Sequence, residues 1–310
     1  MRDPRPIRHI IESQQFDLEL LERIFDRTAR FRSGRSEMNL KDKILIPLFY
    51  EPSTRTRISF ECAMIRLGGH CSGTENASEF SSAIKGESIE DTARVISEYG
   101  DVIVVRHTDE RAAKTMARFA TIPVINGGCG AFGHHPSQAL VDAYTIQERR
   151  GEIDGLKIAV VGDLKHGRTV RSLVYLLGKY KDIDITFVSP EQLRVEHDIL
   201  EYLQRHNVSF YETRALEEVI ETVDAVYMTR VQKERISGLS DEESTRLARS
   251  YRIDATLAGR MRSSAMILHP LPRNDEIDPS VDAMPQALYF RQSGNGMYVR
   301  MALLEYIFGS

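Results

Sequence analysis

Ser53-Thr54-Arg55-Thr56-Arg57 sets three hydroxyls and two guanidinium groups within five consecutive residues. That mixture suits an oxyanion. A phosphate dianion takes hydrogen bonds from hydroxyls and backbone N–H groups, and a planar guanidinium can bind two of its oxygens at once. The flanks say where these residues lie: Lys43-Ile-Leu-Ile-Pro-Leu-Phe49 is an apolar run of strand length, while Ile58 to Leu67 reads as a helix that Gly68-Gly69 ends. The pentapeptide thus falls on a strand-to-helix turn. Ser53 or Thr54 can cap that helix, and Arg55 and Arg57 stand in its first turn, where the macrodipole disfavours a cation by a few tenths to about 1 kcal/mol. A bound anion reverses that sign. The plainer alternative is an exposed helix start with two solvated arginines.

Polar groups recur wherever an apolar run stops, and in an open parallel sheet the ligand crevice lies beyond the carboxyl ends of the strands. In the first half these ends carry Arg106-His107, then His135 and Gln138. In the second they carry Gly162-Asp163 leading to Arg168-Thr169, then Thr229-Arg230-Val-Gln232, then His269-Pro-Leu-Pro-Arg273. Singly, Arg106 or Arg230 reads as a surface side chain. Jointly the arginines suggest carboxylate ligands.

The elements that must position these groups alternate between strand and helix. The spacing predicts a helix over Asp17 to Arg32, the Lys43 strand, the helix after Ser53, a short strand near His70, and helices over Glu87 to Tyr99 and Asp109 to Ala120. Strands are predicted over Asp101 to Val105 and Thr121 to Ile125, and Ser72 to Gly86 has neither period and reads as a long loop. Gly127-Gly-Cys-Gly130 and Pro136 open a helix that runs to Arg150. Beyond it, strands are expected over Lys157 to Val161, Ile183 to Val188, Val208 to Tyr211, Ala225 to Thr229 and Ala265 to His269, with a last helix over Met297 to Phe308. This is an α/β pattern with parallel sheets.

Composition narrows the partners. A chain of 310 residues, 42% hydrophobic and 28% charged, is long enough for two cores. Its net charge of −4 gives no electrostatic case for nucleic acid or an anionic membrane, so small-molecule partners are expected. The N-terminal stretch lacks the apolar core of a signal peptide, and a cytoplasmic location is expected. Cys62, Cys71 and Cys129 form no C-x-x-C pair, and His134-His135 cannot share a helix face, so no metal is implied.

Together with Lys85-Gly-Glu87, Gly162-Asp-Leu-Lys-His-Gly-Arg-Thr169 and Thr229-Arg-Val-Gln-Lys-Glu-Arg235, these motifs resemble the aspartate/ornithine carbamoyltransferase family over nearly the whole chain. Within it they resemble the aspartate carbamoyltransferase branch, catalytic chain. The resemblance implies two doubly wound parallel-sheet domains of similar size with the active site in the cleft between them. Residues 1–136, with a helix of 291–310 packing back on them, would bind carbamoyl phosphate, and 137–290 would bind aspartate. The implied reaction is transfer of a carbamoyl group from carbamoyl phosphate to L-aspartate, an early step of pyrimidine synthesis, without a cofactor.

By the same resemblance Ser53, Thr54, Arg55 and Thr56 hold the phosphate, Arg106 reaches phosphate and carbonyl, and His135 with Thr56 polarises the carbonyl oxygen. Gln138 and the carbonyls of Leu271 and Pro272 meet the carbamoyl amide or the incoming amine. Arg168, Thr169, Arg230 and Gln232 take the aspartate carboxylates, with Lys85 reaching in. Ser81 and Lys85 are implied to come from a neighbouring subunit of a homotrimer with shared active sites, and regulatory chains are possible further partners. The family's usual Gly-Asp-Gly is Gly128-Cys-Gly130 here, and the loop to the histidine is one residue longer. His135 is assigned because Pro136 fixes the helix start, with His134 the alternative. Four other readings remain at this point. Gly162 to Thr169 approximates a nucleotide-binding loop, but with Arg168 in the lysine position. A catalytically weak homologue could serve as a binding or assembly partner, and another amino acid could be the acceptor. Cys129 beside a histidine could be a nucleophile, although a small thiol in a glycine loop is more often buried and inert.

Overall fold

The computed structural model describes residues 8–35, 38–80, 82–231 and 240–309. The chain divides into two compact units, Met1–Leu140 with Asn295–Ser310, and Val141–Gly294.

The first unit begins with helix α1 (Leu18–Arg32), whose N-terminus is closed by Asp17 accepting the Leu20 N–H at 2.8 Å. Its buried residues Leu21, Ile24, Phe25, Thr28 and Phe31 recur at helical spacing and form one face. Then follow β1 (Ile44–Phe49), α2 (Thr54–Arg66), β2 (His70–Cys71), β3 (Thr74–Glu75), α3 (Ala77–Phe80), α4 (Ile89–Ile96), β4 (Val102–Arg106), α5 (Ala112–Phe119) and β5 (Val124–Asn126). The sheet is parallel in the order β2-β1-β4-β5, with β3 also on β1. Val102 to Val105 are fully buried, each side chain contributing about 1.5–3 kcal/mol of transfer free energy.

Two expectations for this unit are corrected. Ser72 to Gly86 is not a structureless loop, since it holds β3, α3 and a 3-10 turn, Ser82–Lys85. The reason lies in Pro47. The carbonyls of Lys43 and Leu45 accept from His70 and Ser72 at 2.9 and 3.1 Å, so odd-numbered residues of β1 face this neighbour, and Pro47, with no N–H, interrupts the ladder. The neighbour is therefore split into two-residue pieces too short to show a period. Gly73 crosses the break, where a Cβ would lie 2.3 Å from the Pro47 carbonyl oxygen. Second, Ser53 occupies the N-cap of α2, but its side chain accepts no backbone N–H. That expected cap does not form.

The second unit carries β6 (Lys157–Val161), α7 (Arg168–Leu177), β7 (Asp184–Val188), α8 (His197–Arg205), β8 (Ser209–Thr213), α9 (Leu216–Val219), β9 (Ala225–Met228), α10 (Asp241–Arg249), α11 (Ala255–Gly259) and β10 (Met266–Leu268); α6 (Pro136–Arg150) leads into it and α12 (Tyr289–Phe308) out of it. Its parallel sheet has the order β10-β9-β6-β7-β8. Strand order reverses at β1/β4 in one sheet and at β6/β9 in the other, the places where open α/β sheets bind ligands. The last helix starts at Tyr289 rather than Met297. Gly294 and the glycine after Asn295 each cost about 1 kcal/mol in a helix, but Tyr289, Gln292 and Asn295 are buried at 0%, 1% and 1% exposure, and this packing decides the helix start. Among the described residues no helix is long and apolar enough to cross a membrane, and no group of three or more His, Cys, Asp or Glu is arranged for a metal ion.

Candidate active site

In the first unit the expected residues gather at the β1/β4 switch point. Register places Phe49 opposite Arg106, so the turn after β1 and the end of β4 are neighbours. Ser53, Thr54, Arg55 and Thr56 make the turn into α2, with Thr54 and Arg55 exposed and Thr56 buried. Partial burial lowers the Arg55 pKa. Thr56 Oγ1 lies 3.3 Å from His135 Nε2, and both residues are about 5% exposed or less. Ser137 Oγ is 3.5 Å from the other ring nitrogen. Arg106 is brought to the same histidine through Gly128: a Cβ there would stand 2.9 Å from His135 Cδ2 and 3.2 Å from an Arg106 Nη. With φ at +104°, Gly128 is required both for its backbone and for this close approach. Gln138 follows in α6, its N–H donating to the His135 carbonyl at 3.0 Å.

The geometry separates the two turn arginines. Arg57 is no solvated cation: it pairs with Glu61 and Glu75, each at 3.0 Å, so it ties α2 to β3. Arg55 has no carboxylate partner among the described residues. Lys85 ends the 3-10 turn and is exposed. Ser81 lies outside the described residues.

Sequence reasoning missed two residues here. Glu51 stands 3.5 Å from Arg106 Nε and orients that guanidinium. Asn126 Oδ1 accepts the N–H groups of Gly128 and Cys129, both at 2.9 Å, and its Nδ2 donates to the Ile11 carbonyl at 2.9 Å. An Asn directly before Gly-Gly is the readable signal for such a loop clamp. Cys129 is fully buried, its thiol 3.6 Å from the Val105 carbonyl, the inert state rather than a nucleophile.

In the second unit Arg168 and Thr169 open α7 beyond β6, and Arg230 follows Thr229 at the end of β9. A cavity of about 180 Å³ is lined by Arg230, Asn274 and Glu276 among others. Gln232 lies outside the described residues. The Leu271–Pro272 turn is set by His269, whose Nδ1 accepts the Leu271 N–H at 2.7 Å while Nε2 lies 2.8 Å from Glu276. Because Nδ1 accepts, the ring proton is on Nε2 and donates to the carboxylate. Burial would raise the Glu276 pKa, but the hydrogen bonds it accepts from His269 and from the Asn274 N–H hold it below the ordinary value. Leu271 takes φ of +57° and its bond to Pro272 is cis. A larger cavity of about 440 Å³, against α1 and the end of α12, is lined by Arg23, Arg27, Arg30 and Glu305 among others; none of the expected site residues lines it.

Comparison with known proteins fits these two faces. Residues 8–148 match the domain described as aspartate/ornithine carbamoyltransferase, carbamoyl-P binding domain, and residues 154–307 match the Asp/Orn binding domain. A chloroplastic aspartate carbamoyltransferase of Arabidopsis thaliana is 51% identical over 301 residues, covering 96% of this chain and 76% of the relative. The catalytic subunit of M. jannaschii aspartate transcarbamoylase superposes with a TM-score of 0.88 at 44% identity, covering 96% of this chain and 97% of that one. Aspartate transcarbamoylase from Trypanosoma cruzi in complex with N-(phosphonacetyl)-L-aspartic acid superposes with a TM-score of 0.89 at 39% identity, covering 96% and 94%. With both domains matched along almost all of its length, the chain belongs to the aspartate/ornithine carbamoyltransferase family.

Proposed function

We propose that this enzyme transfers the carbamoyl group of carbamoyl phosphate to the amine of L-aspartate, giving N-carbamoyl-L-aspartate and phosphate in de novo pyrimidine synthesis. The observation that carries the reading is the Thr56–His135 contact beside Arg106 and the uncapped start of α2. Ser53, Thr54, Arg55 and Thr56 take the phosphate on backbone N–H groups, hydroxyls and the Arg55 guanidinium, and Arg106 reaches phosphate and carbonyl. As the amine attacks the carbamoyl carbon, negative charge grows on the carbonyl oxygen, where Thr56, Arg106 and His135 stabilise it. The carbon–oxygen bond to phosphate then breaks. A departing phosphate oxygen can take the amine proton, so the chemistry requires no protein nucleophile and no cofactor.

Arg168, Thr169, Arg230 and Gln232 are the proposed aspartate ligands, with Gln138 and the Leu271 and Pro272 carbonyls meeting the carbamoyl amide or the amine. Solved relatives bind carbamoyl phosphate and N-(phosphonacetyl)-L-aspartic acid, which favours aspartate over another acceptor and an active enzyme over a weak homologue. A homotrimer with Ser81 and Lys85 donated to the neighbouring site is also proposed. It is supported by Ile58 and Ile65, two turns apart on α2 and 44% and 60% exposed, apolar surface that an interface would cover. A cytoplasmic location fits the composition. The decisive assay compares carbamoyl-amino-acid formation from carbamoyl phosphate with aspartate or with ornithine. Turnover with aspartate alone is expected, and turnover with ornithine alone would overturn the assignment.

A further inference from the structure

Asp142 on α6 is fully buried, as is Tyr227 on β9, and Gln292 on α12 is 1% exposed. They form one line of hydrogen bonds within the second unit. Tyr227 O–H donates to Asp142 Oδ2 at 2.9 Å, and Gln292 Nε2 donates to Asp142 Oδ1 at 2.6 Å. Gln292 Oε1 in turn accepts the His269 N–H at 2.8 Å. The line therefore runs from β9, whose end carries Arg230, to the residue that opens the Leu271–Pro272 turn.

A buried carboxylate is a costly way to fill a core, and apolar side chains of similar volume often fold as well or better. What they cannot do is assign one donor to one acceptor at each step. Here the backbone fixes the amide: the His269 N–H can only donate, so Gln292 turns its carbonyl toward His269 and its NH2 toward Asp142.

We infer that Asp142, Tyr227 and Gln292 are positioning residues that hold the end of β9, which carries Arg230, and the Leu271–Pro272 carbonyls in one fixed relation for carbamoyl transfer. None of the three meets a substrate. The inference rests on the proposed carbamoyltransferase reading and names part of what aligns its acceptor face.

Donor and acceptor can be exchanged without changing net charge. Gln292→Glu alone sets two buried carboxylates against each other. Combined with Asp142→Asn, the new amide NH2 donates to the new carboxylate, whose second oxygen still accepts the His269 N–H, and Tyr227 donates to the amide carbonyl. Gln292→Glu is expected to lower kcat by about tenfold or more, and the double variant to recover it to within about threefold. Tyr227→Phe, which removes one oxygen without changing packing, should lower kcat by about threefold. Phosphate affinity, set by the first unit and read by calorimetry with inorganic phosphate, should remain that of the wild type. Thermal melting reads folding separately. Variants that fold, bind phosphate and keep wild-type kcat and aspartate KM would overturn the inference. So would a double variant that recovers its Tm but not its kcat. If Gln292→Glu does not fold, Tyr227→Phe decides. A wild-type chain that makes no carbamoyl aspartate is a different failure, of the functional reading itself.

Discussion

Thr56 Oγ1 and His135 Nε2, 79 residues apart in sequence, lie 3.3 Å apart, joining the first turn of α2 to the residue that precedes α6. The histidine placed against the turn into α2 is thus the one next to Pro136. Removing one preorganised oxyanion donor costs about 100- to 1,000-fold in kcat. His135→Ala is expected to show a loss of that size in carbamoyl-aspartate formation, while His134→Ala stays within about threefold. The reverse pattern would give the role to His134.

Arg55 and Arg57, two residues apart, are expected to fail in different ways. Arg55→Ala should cost about 2–5 kcal/mol in carbamoyl phosphate binding and transfer, because the anion loses a bidentate partner, with little change in Tm. Arg57→Ala should leave that affinity near wild type but cost about 1–2 kcal/mol of stability, since Glu61 and Glu75 lose a partly solvated partner. Calorimetry and thermal melting on the pair read both. An Arg57→Ala chain that folds normally yet loses carbamoyl phosphate would reassign the anion contact.

Glu276 makes stability depend on pH. Its carboxyl titrates below the ordinary value of about 4.5, so the folded state favours the ionised form. The resulting stabilisation is fully present above the unfolded pKa and is lost as pH falls through the folded one. Glu276→Gln should therefore lower Tm most at neutral pH, with the gap from wild type narrowing as pH drops below about 4.5. A gap that widens on acidification would contradict this account.

The strand ends that carry the candidate site were legible because the strands are short, apolar and followed at once by polar residues: Ser53 to Thr56 follow β1, Arg106 ends β4 and Arg230 follows β9, as the spacing predicts. Local spacing reaches no further than one turn. It gave Arg57 its helical position but not its partner Glu75, which lies on a two-residue strand too short to show a period. Likewise Ser53 reached the N-cap without capping, and the glycines near Asn295 disguised a helix that tertiary packing holds. Asp142, Tyr227 and Gln292 were invisible for the same reason, each being ordinary in its own window.

Lys85 is exposed on the turn that precedes α4, while the proposed chemistry needs it at a substrate. In a threefold ring each site can borrow that turn from the next subunit. Lys85→Ala and Arg106→Ala chains should then each be inactive alone, yet regain activity when dissociated, mixed equally and reassociated. A site is whole when its main chain carries only the Lys85 change and its donor only the Arg106 change, which random assembly gives in roughly one site in four. Activity near that fraction supports a shared site. A mixture shown by mass to have exchanged subunits, and still as inactive as its parents, means that Lys85 serves its own chain or that the ring does not form.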